Sequence, residues 1–241
     1  MQKKIVVHMY LKNGKAVTGF DGKELLEDGD VMSIAQHYSN NGADELLIFD
    51  LSDDDADHEQ SLNLIRQISR VIDIPMSGGG HIKNLEDVKK LLYAGCQQVF
   101  LNYAKAANIE LTEEVSKRFG KEKIAICTDS FAQLQANKAR VNEYTSRVIL
   151  LCDEVDVRTT ARLVEVPVLP VSTRADRHGL LKLLMLDNIC GVCGDTFSDL
   201  NEDLMAAKLE AKKHGVEINT FESKMSWNEL ETELRRHDPG C

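Results

Sequence analysis

The chain has no hydrophobic run approaching the ~18 residues that cross a bilayer as a helix, so no membrane-spanning helix is expected. It has no excess of positive charge either. With 29 Lys and Arg against 39 Asp and Glu, a net charge of −10, it cannot neutralise a run of phosphates, which argues against nucleic acid as its main partner. Any anion site must be local. The opening Met1-Gln2-Lys3-Lys4-Ile5-Val6-Val7-His8 is basic and then reads as a short strand. It lacks the apolar stretch and cleavage site of a signal peptide, and a cytoplasmic protein is expected. No stretch rich in Pro, Gly or Ser marks a linker, which points to one domain. No GxGxxG follows the first strand, which weakens a dinucleotide-binding sheet.

The six cysteines are scattered, and Cys96, Cys127, Cys152 and Cys190 sit in apolar stretches as small hydrophobes. Cys190-Gly-Val-Cys193 is a CxxC without the second ligand pair that zinc would need. It falls in an apolar strand, so buried thiols are expected rather than a redox pair. No metal or organic cofactor is implied.

What the chain does have is alternation. Hydrophobic residues at 43% suffice for a core. Strands are expected at Lys4–His8, Glu45–Asp50, Ile74–Met76, Gln98–Leu101, Ile124–Thr128, Arg147–Cys152, Val168–Val171 and Ile189–Cys193. Amphipathic segments lie between and after them: Asp30–Asn41, Gln60–Val71, Leu85–Ala94, Thr112–Phe119, Ala132–Tyr144, Val157–Leu163, Arg177–Leu186 and Leu200–His214. Asp30 and Asn84 are placed to cap helices, Asn108 or Thr112 to start one, and Gly42, Gly95, Gly120 and Gly215 to end them. Alternating β and α units over 241 residues imply an α/β fold, a (β/α)8 TIM barrel, with an open doubly wound sheet as the alternative. Spacing tightens after Ile124, so the second half of the barrel should carry shortened loops.

The segment Ile74-Pro75-Met76-Ser77-Gly78-Gly79-Gly80-His81 ends a strand on three glycines just before a helical pattern. Bare backbone N–H groups there, with the helix dipole behind them, make a place for phosphate; the plainer alternative is a tight turn without a ligand.

Several stretches resemble one known family. They are Lys4-Ile5-Val6-Val7, Leu11-Lys12-Asn13-Gly14-Lys15-Ala16-Val17, Gly29-Asp30, Tyr38-Ser39-Asn40-Asn41-Gly42-Ala43-Asp44-Glu45-Leu46 and Phe49-Asp50-Leu51. Ile72-Asp73-Ile74-Pro75 with the glycines, Val99-Phe100-Leu101-Asn102 and Lys212-Lys213-His214-Gly215-Val216 continue the likeness. This resembles the cyclase subunit of imidazole glycerol phosphate synthase, in histidine biosynthesis, whose sister is the ribotide isomerase. The Tyr-Ser-x-x-Gly-x-Asp-Glu-Leu phrase favours the cyclase. The resemblance implies two carboxylates working as an acid/base pair on a ribulosyl bis-phosphate, one at the end of the first strand and one at the end of the fifth. It implies phosphate sites beyond strands three and four and beyond strands seven and eight.

Asp129 stands at the fifth-strand position, whereas the first-strand position holds Tyr10, a poor base at neutral pH. Thr18 replaces a usual lysine, His81 the last glycine of the first cradle, and Tyr103 a small hydroxyl residue after Asn102. Beyond the seventh strand the chain reads Val171-Ser172-Thr173-Arg174, and beyond the eighth Cys193-Gly194-Asp195, where the aspartate would repel phosphate. The expected catalytic set is Asp129 with Tyr10 or Asp50 in the missing role, Asp50 being equally suited to bonding a neighbouring loop. The expected phosphate set is Gly78, Gly79, Gly80, Asn102 and Ser172.

His8 is expected to be packed, and Asp53-Asp54-Asp55-Ala56-Asp57-His58-Glu59 to be a solvated loop rather than a cation site. Residues 1–220 should form the barrel. Residues 221–241 read as the opening of a fused domain, since Ser223–Leu230 resembles the start of phosphoribosyl-AMP cyclohydrolase, or as appended sequence or a covering helix. The functional expectation is a catalytically degenerate cyclase-like barrel acting as a scaffold or regulatory module. An active cyclase (a lyase) and an isomerase-like enzyme are the alternatives. The expected partners are a phosphorylated ribotide-like molecule or phosphate, and a glutaminase subunit at the bottom face or a fused pathway domain.

Overall fold

The computed structural model describes residues 2–27, 29–153 and 155–220. Strand β1 (Lys4–Lys12) runs four residues past its expected end and turns back through β2 (Lys15–Thr18) and β3 (Glu24–Leu25). The turn is Asn13-Gly14, with φ of 50° and 67°. Positive φ at both central residues is the two-residue hairpin geometry that asparagine and glycine tolerate. The remaining strands are β4 (Glu45–Asp50), β5 (Met76–Gly79), β6 (Gln98–Asn102), β7 (Ile124–Thr128), β8 (Arg147–Leu151), β9 (Val168–Ser172) and β10 (Gly191–Gly194). β1 and β4 to β10 are parallel neighbours in order, and β10 pairs with β1 through Lys4↔Gly191, Ile5↔Val192 and Val6↔Cys193. The sheet closes on itself as the expected (β/α)8 barrel.

The helices are α1 (Val31–Asn40), α2 (Asp55–Ile68), α3 (Leu85–Tyr93), α4 (Ala106–Phe119), α5 (Phe131–Ala136), α6 (Lys138–Tyr144), α7 (Val157–Leu163), α8 (Arg177–Leu183), α9 (Asp195–Ser198) and α10 (Leu204–Lys213). Period-two alternation sorts the strand side chains. Ile5, Val7, Met9 and Leu11 face the helix layer, while Val6 and Tyr10 join Leu47, Ala125, Ile149 and Leu169 inside the barrel.

Four expectations are corrected. The acidic run is not a loop: Asp54 caps α2, accepting from Asp57 N, and Asp55 and Asp57 sit in the first turn, where the helix dipole favours negative charge. α4 begins at Ala106, because Asn108 spends its side-chain amide on Asn102 O (3.1 Å) instead of capping. The helix expected over 132–144 breaks at Asn137 into α5 and α6. Gly78 and Gly79 lie within β5, buried, and only Gly80 stands in the turn.

At the N-terminal end of the barrel the Arg147 guanidinium grips the Glu45 carboxylate with both terminal nitrogens, and Lys4 and Ser77 join them. Among the described residues no helix is long and apolar enough to cross a membrane. The readings of Ser223–Leu230 and of the last residues lie outside the described residues.

Candidate functional site

The C-terminal ends of the strands open on a mouth that aromatic rings divide. Tyr10 (β1), Phe49 (β4) and Phe100 (β6) all point inward by strand alternation, and Phe20 folds down from the segment between β2 and β3. Ring centroids lie 5.4 Å apart for Tyr10–Phe49, 4.7 Å for Tyr10–Phe20, 5.1 Å for Phe20–Phe49 and 5.0 Å for Phe49–Phe100. The spacing is that of tilted and edge-on aromatic packing. A cavity of about 380 Å³ lies on the β4–β7 side of this wall and one of about 350 Å³ on the β10–β1 side.

The first cavity gathers Asp129, Thr128, Asn102, Gly79, Gly80 and Lys105. Asp129 is exposed just beyond β7. Asn102 turns its own loop, its Oδ1 accepting from Ala104 N at 2.9 Å. The glycines have a packing reason: a Cβ on Gly78 would sit 2.8 Å from Cys96 Sγ, one on Gly79 would enter the Phe100 ring, and one on Gly80 (φ +115°) would run into Asp50 O. Gly79 and Gly80 line the cavity, whereas Gly78 is not among its lining residues.

Two expected catalytic groups are poorly placed for proton transfer. Asp50 is out of phase with inward-facing Phe49, so its carboxylate turns away from the barrel axis and is fully buried against α2. Its Oδ2 lies 2.5 Å from His58 Nδ1, and its Oδ1 accepts from Ser52 N (3.1 Å) and Ser52 Oγ (2.5 Å). These bonds fit the loop role expected of it, and Asp50 is also one of the residues that line the first cavity. Tyr10 is 3 % exposed and its hydroxyl has no hydrogen-bond partner among the described residues. Burial, reinforced by the field of Asp195, pushes its pKa far above that of a free phenol.

Ser172 is also engaged. It donates to Asp153 Oδ1 (2.5 Å), while Thr173 N (3.1 Å) and Thr173 Oγ1 (2.5 Å) reach the same carboxylate. An internal carboxylate thus fills the hydroxyl-and-amide nest beyond β9. Burial opposes its charge, but the bonds from Ser172 and Thr173 outweigh it and hold Asp153 below the usual carboxylate range.

His8 is buried, as expected. Its Nε2 lies 3.1 Å from Asp195 Oδ1, and its Nδ1 faces Ser198 Oγ (3.2 Å) and Cys193 Sγ (3.4 Å). Cys193 is fully buried, which raises its thiol pKa well above the ordinary value. Among the described residues no group of three His, Cys, Asp or Glu is placed to hold a metal ion.

Residues 4–187 match the model of the histidine biosynthesis protein family. The chain belongs to that family. Similar family members are each described as imidazole glycerol phosphate synthase subunit HisF. One from Flavobacterium psychrophilum is 33% identical over 130 residues, covering 54% of this chain and 52% of the relative. One from Haemophilus influenzae is 32% identical over 162 residues, covering 66% and 60%. One from Helicobacter hepaticus is 34% identical over 132 residues, covering 54% and 51%. The chain spans about half the length of the curated relatives it matches. The family match ends before β10, the strand that leads to Asp195.

The aromatic wall and Asp153 were missed from sequence. The wall had a signal: Tyr10, Phe49 and Phe100 each stand one or two residues from the end or pairing edge of an inward-facing run. The pairing of Asp153 had none, because its partner loop lies nineteen and twenty residues away along the chain.

Proposed function

We propose that this histidine-biosynthesis barrel has lost cyclase chemistry and acts in the cytoplasm as a scaffold or regulatory module for enzymes of that pathway. The reading rests on Tyr10: where the resemblance calls for a carboxylate, this chain buries an unpartnered phenol in an aromatic wall across the mouth. Removing one member of an acid/base pair typically costs about 10²- to 10⁴-fold in rate. The same wall stands between the two cavities at the mouth, so neither alone spans it. Asp153, seated in the Ser172–Thr173 nest, competes with any phosphate there.

The first cavity keeps Asp129, Asn102, the glycine turn and Lys105, a set suited to holding one phosphorylated ribotide-like molecule without turning it over. The relatives are named as subunits of a synthase. A pathway partner, a glutaminase among the candidates, would dock on the face bearing Lys4, Glu45 and Arg147, at the opposite end of the barrel.

The test is ammonia-dependent turnover of the ribulosyl bis-phosphate by the purified protein, with Asp129→Asn as control. No turnover by a folded barrel supports the reading. Turnover that vanishes in the variant would overturn it and assign Asp129 to an active cyclase.

A further inference from the structure

The cavity on the β10–β1 side of the wall has its own chemistry. Asp195, Asp199 and Glu27 stand exposed among the residues that line it, and no Lys or Arg is among the described ones. Asp199 uses Oδ1 to accept from Asn201 N (2.8 Å) and Asn201 Nδ2 (3.2 Å), and its Oδ2 has no partner among these bonds. Asp195 is oriented by the buried His8 ring at 3.1 Å. The rim is itself fixed to the barrel: His8 N donates to Ser198 Oγ (2.9 Å), and Tyr38 Oη donates to Ser198 O (2.6 Å).

The second observation is independent of the acids. Tyr10 lines this cavity, is 3 % exposed, and carries a hydroxyl with no partner among the described residues. Buried polar atoms are nearly always paired, so an orphan beside a cavity points to a hydrogen-bonding group that arrives from outside. An anion is excluded by the three carboxylates of Glu27, Asp195 and Asp199. A cation that donates hydrogen bonds satisfies both them and the hydroxyl oxygen.

We propose that this second cavity binds a small primary amine in its protonated form, with the ammonium between Asp195, Asp199 and the Tyr10 hydroxyl and a compact apolar body against Val17 and Leu200. At about 350 Å³ the cavity is at the small end of ligand sites, with room for a single ring or a short chain. The inference goes beyond the reading of the first cavity and does not depend on it.

Isothermal titration of the whole protein at pH 7.5 with phenethylammonium, neutral 2-phenylethanol and inorganic phosphate tests it. The amine should bind saturably at one site, and the alcohol and phosphate should not displace it. Asp195→Asn should weaken the amine about tenfold, Asp199→Asn and Tyr10→Phe each about threefold. Asp199 is exposed, so its variant carries the test if Asp195→Asn fails to fold by circular dichroism. Absence of amine binding, equal binding of the alcohol, displacement by phosphate, or affinity unchanged in every folded variant would each overturn the proposal.

Discussion

Asp153 shows how one residue can decide what a loop binds. The nest beyond β9 offers the Ser172 hydroxyl and the Thr173 amide and hydroxyl to an anion, and the chain supplies that anion from the loop beyond β8. Asp153→Ala should expose these donors, so that inorganic phosphate raises the Tm of the variant and leaves the parent unchanged. Because the folded pKa of Asp153 lies below the ordinary aspartate value of 3.8, the contact stabilises the fold above about pH 4. That contribution is lost as pH falls through the lower, folded value. Urea titrations of parent and variant should therefore differ most near pH 6 and converge toward pH 2. A constant gap across that range would show that the carboxylate charge is not what holds the loop.

Among the elements, β5 is the one whose sequence is most tightly dictated by its neighbours. Gly79, and Gly80 in the turn just after it, stand where Phe100 from β6 and the Asp50 backbone from β4 come too close for a Cβ. Gly80→Ala combines a left-handed φ of +115° with a backbone clash. It should cost about 3 kcal/mol or more in urea unfolding. Gly78→Ala meets first the Cys96 sulfur at 2.8 Å and ordinary contact with Leu91. It should cost about 1–2 kcal/mol. Equal costs at the two positions would mean that the strand shifts as a unit instead of being pinned at Gly80. The glycine run was legible in sequence as a special backbone; that two of its members are strand residues was not, because the clash partners lie on other strands.

For the molecule as a whole, the N-terminal end of the barrel is tied by Glu45 on β4 and Arg147 on β8, with Ser77 of β5 and Lys4 of β1 alongside. Burial works against the Glu45 charge, but the adjacent Arg147 guanidinium overrides it and holds the carboxyl well below the ordinary glutamate range. Its contribution is present above about pH 4.5 and falls away as pH drops through the folded value. Arg147→Met leaves Glu45 as an uncompensated buried charge and should cost about 3–5 kcal/mol, whereas pairing it with Glu45→Leu should recover most of that loss. Chemical denaturation of the single and double variants checks this. A double variant as unstable as the single one would show that the ion pair does more than balance its own burial.

Much of the architecture could be read from the chain without coordinates, because strand and helix periods, capping residues and turn glycines act within a few residues of one another. Asp30, Asn84 and the Asn13-Gly14 turn behave as their local chemistry requires. The position of Asp129 at the mouth was legible for the same reason, as the residue after an apolar strand. The site's character was decided only in three dimensions. Whether Asp50 faces the mouth depends on its phase relative to Phe49 and on His58 of α2. The phenol of Tyr10 is trapped by rings from β4 and from the segment between β2 and β3, and Asp153 meets its donors only once β8 and β9 lie side by side. Barrel closure brings together residues from opposite ends of the chain, and the resulting burial and pairing set what each carboxylate and hydroxyl can do.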